Sequence, residues 1–163
     1  MQTRIDCTVV TCNIHEPSDS TLLWDAVRVI TRILTQPRDE TGLSFSFSDY
    51  TPKAKRTMLA IRNAKNMETR KSLYPELLKI TQKVVGYAGN VIPLLQKTTL
   101  SHLVALRDDL KRIVSLTHRV MDQTARRVLH GEEVPAEEKV VSLFEGCVLY
   151  QQARPYNGSD VPQ

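Results

Sequence analysis

The apolar positions of this chain follow a helical period over most of its length, with strand-like patterns near its start, at Leu43 to Phe47 and near Val140 to Val148. Residues 5 to 10 are rich in β-branched side chains and precede a cluster of Asn, Pro, Ser and Asp, which is typical of a short buried strand and a turn. Residues 17 to 20 then form a good helix cap. The apolar positions after this cap recur at helical spacing, and they are Leu22, Leu23, Ala26, Val27, Ile30, Ile33 and Leu34. We expect a helix from about residue 20 to 35, which Pro37 and Gly42 end.

A polar loop and a basic helix are predicted next. Within residues 38 to 51, three apolar side chains alternate with polar ones in a pattern compatible with a brief strand. They are Leu43, Phe45 and Phe47. Thr51 and Pro52 can open a helix that we expect to reach about Lys71. Its predicted inward positions are Met58, Ile61 and Met67.

Two long helices with an unusually regular pattern follow. Their apolar positions alternate steps of three and four residues, a mean of 3.5 that is the period of a coiled-coil seam. The positions are Leu73, Leu77, Ile80, Val84, Tyr87, Val91 and Leu94, then Leu103, Leu106, Leu110, Ile113, Thr117, Val120 and Thr124. The short connection at residues 97 to 101 predicts an antiparallel helical hairpin. Gly86, Gly89 and Pro93 predict a kink or local break in the first helix, and Gly131 ends the second.

Length and composition indicate one domain, or part of one, with an ordinary globular composition. The 163 residues are 41% hydrophobic and 25% charged, enough to bury a core. No apolar run is long enough to span a membrane, and residues 1 to 15 lack the features of a signal peptide. The three cysteines, an odd count without paired spacing, fit reduced thiols in the cytoplasm. We expect a cytoplasmic protein without a membrane partner.

The charge is unevenly distributed along the chain. Residues 131 to 145 hold five glutamates and one lysine, whereas residues 53 to 71 hold seven basic side chains against Glu68 alone. The seven are Lys53, Lys55, Arg56, Arg62, Lys65, Arg70 and Lys71. This asymmetry predicts that one face meets a polyanion. A solvated helix face explains the same charges, since no aromatic platform or base-reading motif accompanies them in the sequence.

Asp6 is the anomaly of the predicted first strand. A carboxylate inside a buried strand is costly unless it lies at an edge, accepts hydrogen bonds or binds a metal. A solvated edge carboxylate is the more ordinary interpretation of the spacing alone. Cys7, Cys12 and His15 match no common zinc module and lack a fourth ligand, which argues against a zinc site.

Three segments of the chain resemble a known enzyme family. Residues 4 to 32 (R-I-D-C-T-V-V-T-C-N-I-H-E-P-S-D-S-T-L-L and onward) look like the start of the catalytic core in insertion-sequence transposases of the DDE type, in the group labelled ISNCY. The likeness resumes at residues 119 to 129 and again at residues 134 to 145. It therefore spans nearly all of the chain up to residue 145.

The resemblance implies a fold and a chemistry. Asp6 would be the first of three carboxylates, projecting from the first strand of a ribonuclease H-like sheet and binding Mg²⁺. Two such ions would activate water, and later a DNA 3′-hydroxyl, for attack on a phosphodiester at the transposon ends. We therefore expect a mainly α chain, in which residues 1–17 hold the strand of an incomplete ribonuclease H-like core, 18–145 form a helical insertion with the hairpin, and 146–163 form a disordered tail.

The chain also departs from the family pattern. Where members continue Phe144 and Glu145 as F-E-P-H-T-D, this chain has Leu149 in place of the second catalytic aspartate, and it ends before a third carboxylate. We expect a truncated and catalytically inactive remnant of a transposase, located with the bacterial nucleoid. Alternatives are a noncatalytic DNA-binding or protein-interaction module, assembling with itself or with full-length transposase, and a functionless remnant.

The basic helix supplies the candidate DNA contacts. We expect five side chains to meet the DNA backbone: Lys53, Lys55, Arg56, Arg62 and Lys65.

Overall fold

The computed structural model describes residues 18–41, 45–97, 99–135 and 137–144, with the side chains of 38–41 excepted. Most of these residues are helical, and none of them forms a strand. The elements are α1 (Asp19–Thr41), α2 (Thr51–Asn63), α3 (Met67–Gln96), α4 (Ser101–Thr124) and a terminal π-helical turn (Ala125–Leu129). The predicted mainly α class is confirmed. The first strand with Asp6, and the tail from residue 146, lie outside the described residues.

Helix α1 begins where the sequence predicts and ends later. The Ser18 carbonyl accepts hydrogen bonds from the amides of Thr21 and Leu22 at 2.9 and 3.0 Å. The prediction that Pro37 ends the helix is wrong, because α1 continues through it to Thr41. A proline removes one donor and crowds the preceding turn. Pro37 is itself buried, so its packing offsets that cost.

The basic helix is shorter than predicted. It ends at Asn63, and Ala64 takes extended dihedral angles (φ −63°, ψ 122°) before α3 begins at Met67. Arg70 stabilises the break, since its guanidinium donates to the Ala64 carbonyl at 3.3 Å. Met67 is consequently 64% exposed instead of facing inward, whereas Met58 and Ile61 are buried as predicted.

Helix α3 lies at the centre of the structure. It contacts α1, α2 and α4, and it runs without interruption through Gly86, Gly89 and Pro93. The predicted local break is therefore absent. Packing against three neighbours holds the helix together, because tertiary contacts supply most of the stability of a protein helix.

The seam of the hairpin is confirmed in α4 and shifted in α3. Every predicted α4 position except Leu106 is fully buried. At the end of α3, Leu94 is 37% exposed and its neighbour Leu95 is 0% exposed. An α-helix advances 3.6 residues per turn, so a strict 3.5-residue pattern drifts around it, and the next residue takes the inward place.

The ends of the hairpin fix its direction and close the core. Tyr74, near the start of α3, lies close enough to Arg127, just after the end of α4, for the charge of Arg127 to lower the pKa of its hydroxyl. The start of α3 therefore lies beside the end of α4, and the two helices are antiparallel as predicted. Gly131 ends the helical turn with φ +70°, again as predicted. The strand piece expected from Val140 is irregular through residue 144, although Val140 and Leu143 are buried.

The segment before α2 is also irregular. Residues 45 to 50 form no strand, but Phe45 and Phe47 are half-buried while the serines between and after them are exposed. The alternation thus predicts which side chains face the core, although no partner strand lies beside them within the described residues.

Candidate nucleic-acid interface

The five predicted DNA contacts lie on the exposed part of α2 and in the turn after it. The core-facing side of the helix carries Ala54, Thr57, Met58 and Ile61. At 100° per residue, Lys55 and Arg62 lie on one flank, Arg56 points outward and Lys53 lies on the flank toward α3. Lys65 follows in the turn. The five side chains therefore surround the exposed half of the helix instead of sharing one narrow face.

Most of this positive charge has no internal counterion. Lys53 pairs with Glu76 of α3, with Nζ and Oε1 at 3.0 Å. No carboxylate among the described residues pairs with Lys55, Arg56 or Arg62. Arg70, which the sequence groups with them, is engaged with the Ala64 carbonyl. Uncompensated exposed charge is the kind that a polyanion can neutralise.

A cleft separates the start of α2 from the first half of α3. Its volume is about 410 Å³, and its lining is Tyr50, Lys53, Pro75, Glu76, Lys79, Ile80 and Lys83. Two of its three lysines come from α3, beyond the end of the basic segment in the sequence. Charge counting along the chain missed them because only the folding of α3 against α2 brings them beside Lys53.

Aromatic rings accompany these lysines, which the sequence did not suggest. The Tyr50 and Tyr87 rings stack with centroids 6.4 Å apart and an interplanar angle of 19°. Phe47 packs against Tyr87 at 6.4 Å, and Phe45 stacks on Phe47 at 6.0 Å. Lys83 Nζ lies 5.5 Å from the Tyr50 ring centroid. The rings come from the irregular segment and from α3, so their grouping is a tertiary feature.

A second polar cluster joins the start of α1 to the end of α4. Gln123 Nε2 donates to Asp19 Oδ1 at 2.8 Å, and Arg127 donates to both Asp19 oxygens at 3.2 and 3.0 Å. The Val140 amide donates to Gln123 Oε1 at 2.8 Å. We call these four residues the polar junction. Burial raises the pKa of the neighbouring Tyr74 hydroxyl, a hydrogen bond from Ser20 lowers it, and the charge of Asp19 raises it further.

The implied metal site cannot be placed on this structure. Asp6, and the cysteines and histidine considered for zinc, lie outside the described residues. Within the described part of the chain, no group of three or more His, Cys, Asp or Glu side chains could hold a metal ion. No helix in that part is long and apolar enough to cross a membrane.

Comparison with known proteins gives no relative. No family model, curated protein or solved structure matches the chain.

Proposed function

We propose that this chain derives from the catalytic domain of a DDE-type insertion-sequence transposase and that it binds DNA. In this proposal residues 18–145 correspond to the helical segment between the first and second catalytic strands. Asp6 corresponds to the metal-binding aspartate of the first strand of a ribonuclease H-like core. The activity of the intact enzyme would be the cleavage and joining of transposon DNA ends.

The polar junction is the observation that supports this derivation best. The three segments that carry the family resemblance are far apart in sequence, yet each contributes to the junction. Asp19 belongs to the first, Gln123 and Arg127 to the second, and Val140 to the third. Three segments that resemble one family and also meet in one hydrogen-bonded cluster support a common origin better than three matches scattered over the fold would.

The exposed charge of α2 supports DNA binding. Lys55, Arg56 and Arg62 have no carboxylate partner within the described residues, and they spread around the outer half of one helix. Contacts of this kind to phosphates position a protein on DNA without reading the base sequence. The partner in this proposal is DNA, with assembly onto full-length transposase as the setting in which such binding would act.

The residues present do not fit a two-metal centre by themselves. Leu149 stands where the family has its second catalytic aspartate, and no group of three or more His, Cys, Asp or Glu side chains among the described residues could hold a metal ion. One carboxylate cannot position two Mg²⁺ ions. We therefore expect DNA binding without cleavage from this chain alone.

Binding to a labelled duplex, measured by fluorescence anisotropy over a range of salt concentrations, tests the proposal. The variant Lys55→Glu with Arg62→Glu should weaken binding and reduce the salt dependence, by roughly 0.9 in the logarithmic slope for each phosphate that the protein no longer neutralises. The control is Lys97→Glu with Lys111→Glu, which makes the same charge change at exposed positions outside α2. Equally weakened binding in both variants would leave only net charge as the cause, and no binding by the unmodified chain would overturn the proposal.

Cleavage is tested separately with Mg²⁺ or Mn²⁺ and the ends of the parent element. We expect no strand cleavage by the unmodified chain or by Asp6→Asn. Cleavage that Asp6→Asn abolishes would show that the missing carboxylates come from another subunit, and the expectation of an inactive chain would be wrong.

A further inference from the structure

The cleft between α2 and α3 combines a positive lining with an apolar wall. Lys53, Lys79 and Lys83 line it against one acid, Glu76. Lys79 and Lys83 are four residues apart on α3, so both project from the same side of that helix. Charges of one sign around a concave, partly apolar surface concentrate the electrostatic potential there and attract an ion of opposite sign.

The lysines of the cleft differ in what they contact: Lys53 pairs with a carboxylate, and Lys83 lies against an aromatic ring. Glu76 neutralises Lys53 at 3.0 Å. Lys83 lies against the face of the Tyr50 ring, and the Tyr87 ring stacks on that of Tyr50. An ammonium against an aromatic face keeps its charge and its hydrogen-bond donors. Lys83 is thus held at the cleft while remaining able to donate to an anion.

The apolar part of the lining limits the kind of anion. Tyr50, Pro75 and Ile80 form a wall beside the lysines, which suits a ligand that carries an apolar face next to its charge. A nucleotide unit has this form, because its sugar adjoins its phosphate. A volume of about 410 Å³ lies in the range of small-ligand sites. A membrane surface is a poorer match, since lipid headgroups present a broad plane and not a unit that enters a cleft.

We propose that this cleft binds one phosphodiester group of a DNA strand, with Lys79 and Lys83 contacting the phosphate and Tyr50, Pro75 and Ile80 packing against the sugar. The site deepens the proposed function and rests on it, because it adds a phosphate contact from α3 to the DNA surface of α2. Glu76 acts as an internal competitor that occupies Lys53 when no phosphate is bound.

Because Glu76 competes with the phosphate for Lys53, removing its charge should strengthen DNA binding, whereas most substitutions at a binding site weaken it. Glu76→Gln frees Lys53 and removes a repulsive charge, so binding to a duplex should tighten by about fivefold at low salt. Lys79→Glu with Lys83→Glu should weaken binding and lower the salt slope by roughly 0.9, the value for the one phosphate that the cleft would no longer neutralise. The control Lys97→Glu with Lys111→Glu should retain the unmodified slope. Weaker or unchanged binding by Glu76→Gln would overturn the role of this residue and of the cleft.

A dinucleotide titration separates the cleft from DNA binding as a whole. The probe is thymidylyl-thymidine, which has one phosphodiester, and its control is the uncharged methylphosphonate analogue. In ¹⁵N-labelled full chain we expect the phosphodiester, and not the analogue, to shift the amide signals of Tyr50, Lys53, Lys79 and Lys83, with no such shifts in Lys79→Glu with Lys83→Glu. Shifts at these positions without duplex binding would reject the proposed function and retain the cleft. Duplex binding without such shifts would retain the proposed function and reject the cleft as a phosphodiester site.

A vesicle-binding assay tests a membrane as the source of the phosphate. Vesicles of phosphatidylcholine with phosphatidylserine serve as the probe, and we expect no binding to them that depends on Lys79 and Lys83. Vesicle binding that the lysine variant abolishes, with no response to the dinucleotide, would overturn the nucleic-acid assignment.

Discussion

Gln123 and Asp19 are 104 residues apart in sequence and are joined by a hydrogen bond of 2.8 Å between Nε2 and Oδ1. Both side chains are buried, at 3% and 6% exposure. The amide of Gln123 also faces the backbone of Val140, accepting from its N–H at 2.8 Å and donating to its carbonyl at 3.3 Å. One side chain therefore ties the first helix and the final segment to the end of the hairpin.

Replacing Gln123 should be costly because its partners, Asp19 and the backbone of Val140, are buried. Gln123→Ala leaves a carboxylate oxygen and a buried backbone N–H without this partner, and we expect the free energy of unfolding to fall by about 2 kcal/mol. Urea unfolding followed by circular dichroism measures the change. The control Gln82→Ala removes the same side chain from an exposed position of α3 and should change stability by less than about 0.5 kcal/mol. Equal effects would contradict the junction.

The inward register of α3 can be tested with two adjacent leucines. Leu95→Ala should cost about 2 to 5 kcal/mol because it opens a cavity in a fully buried site. Leu94→Ala, at 37% exposure, should cost less than about 1 kcal/mol. The ratio of the two costs in urea unfolding decides the register. A larger cost at Leu94 would restore the register that the sequence predicts.

The comparison of these leucines shows where sequence reasoning succeeds and where it stops. The apolar period predicts the existence of the helices, the hairpin and the buried face of α4, because each depends on local spacing. It misplaces the end of the α3 seam, since Leu94 and Leu95 are both apolar and only the neighbouring helices determine which faces inward. It also extends α2 past Asn63, where no proline or glycine marks the break.

The candidate site likewise contains residues that the sequence predicts and residues that only the fold brings together. Lys55, Arg56 and Arg62 are visible as a basic segment in the sequence. Lys79 and Lys83 lie in another helix, and the Tyr50 ring precedes the basic run. Their proximity depends on how α3 packs against α2, which no local pattern contains.

The glycines of the hairpin should respond to alanine in opposite directions. Gly86 and Gly89 lie in the interior of α3, and a Cβ at either would meet no atom within 4 Å. Alanine there should stabilise the protein by about 1 kcal/mol at each position, because glycine is a poor helix former. Gly131 has φ +70°, where an L side chain is strained, so Gly131→Ala should destabilise by about 1 to 2 kcal/mol. Thermal unfolding measures all three changes. Destabilisation by Gly86→Ala would indicate that α3 needs a deformation at this point.

Tyr74 should make the fold sensitive to alkaline pH. Burial raises the pKa of its hydroxyl above the ordinary value of 10.0, so the unfolded chain loses this proton at a lower pH than the folded chain. The stability linked to the neutral hydroxyl is fully present below pH 10.0 and is lost as the pH rises toward the folded-state pKa. Tyr74→Phe removes the titrating group. The difference in unfolding free energy between the unmodified chain and Tyr74→Phe should therefore shrink or change sign as the pH rises above 10.0.

A second variant separates this titration from the loss of a hydrogen bond. Ser20→Ala removes the hydrogen bond to Tyr74 that lowers its pKa and leaves the hydroxyl in place. We expect Ser20→Ala to retain the alkaline loss of stability, because burial, the larger influence, is unchanged. Urea unfolding at neutral and alkaline pH provides the comparison. If Tyr74→Phe and the unmodified chain lose stability in parallel through the alkaline range, the hydroxyl of Tyr74 does not control this response.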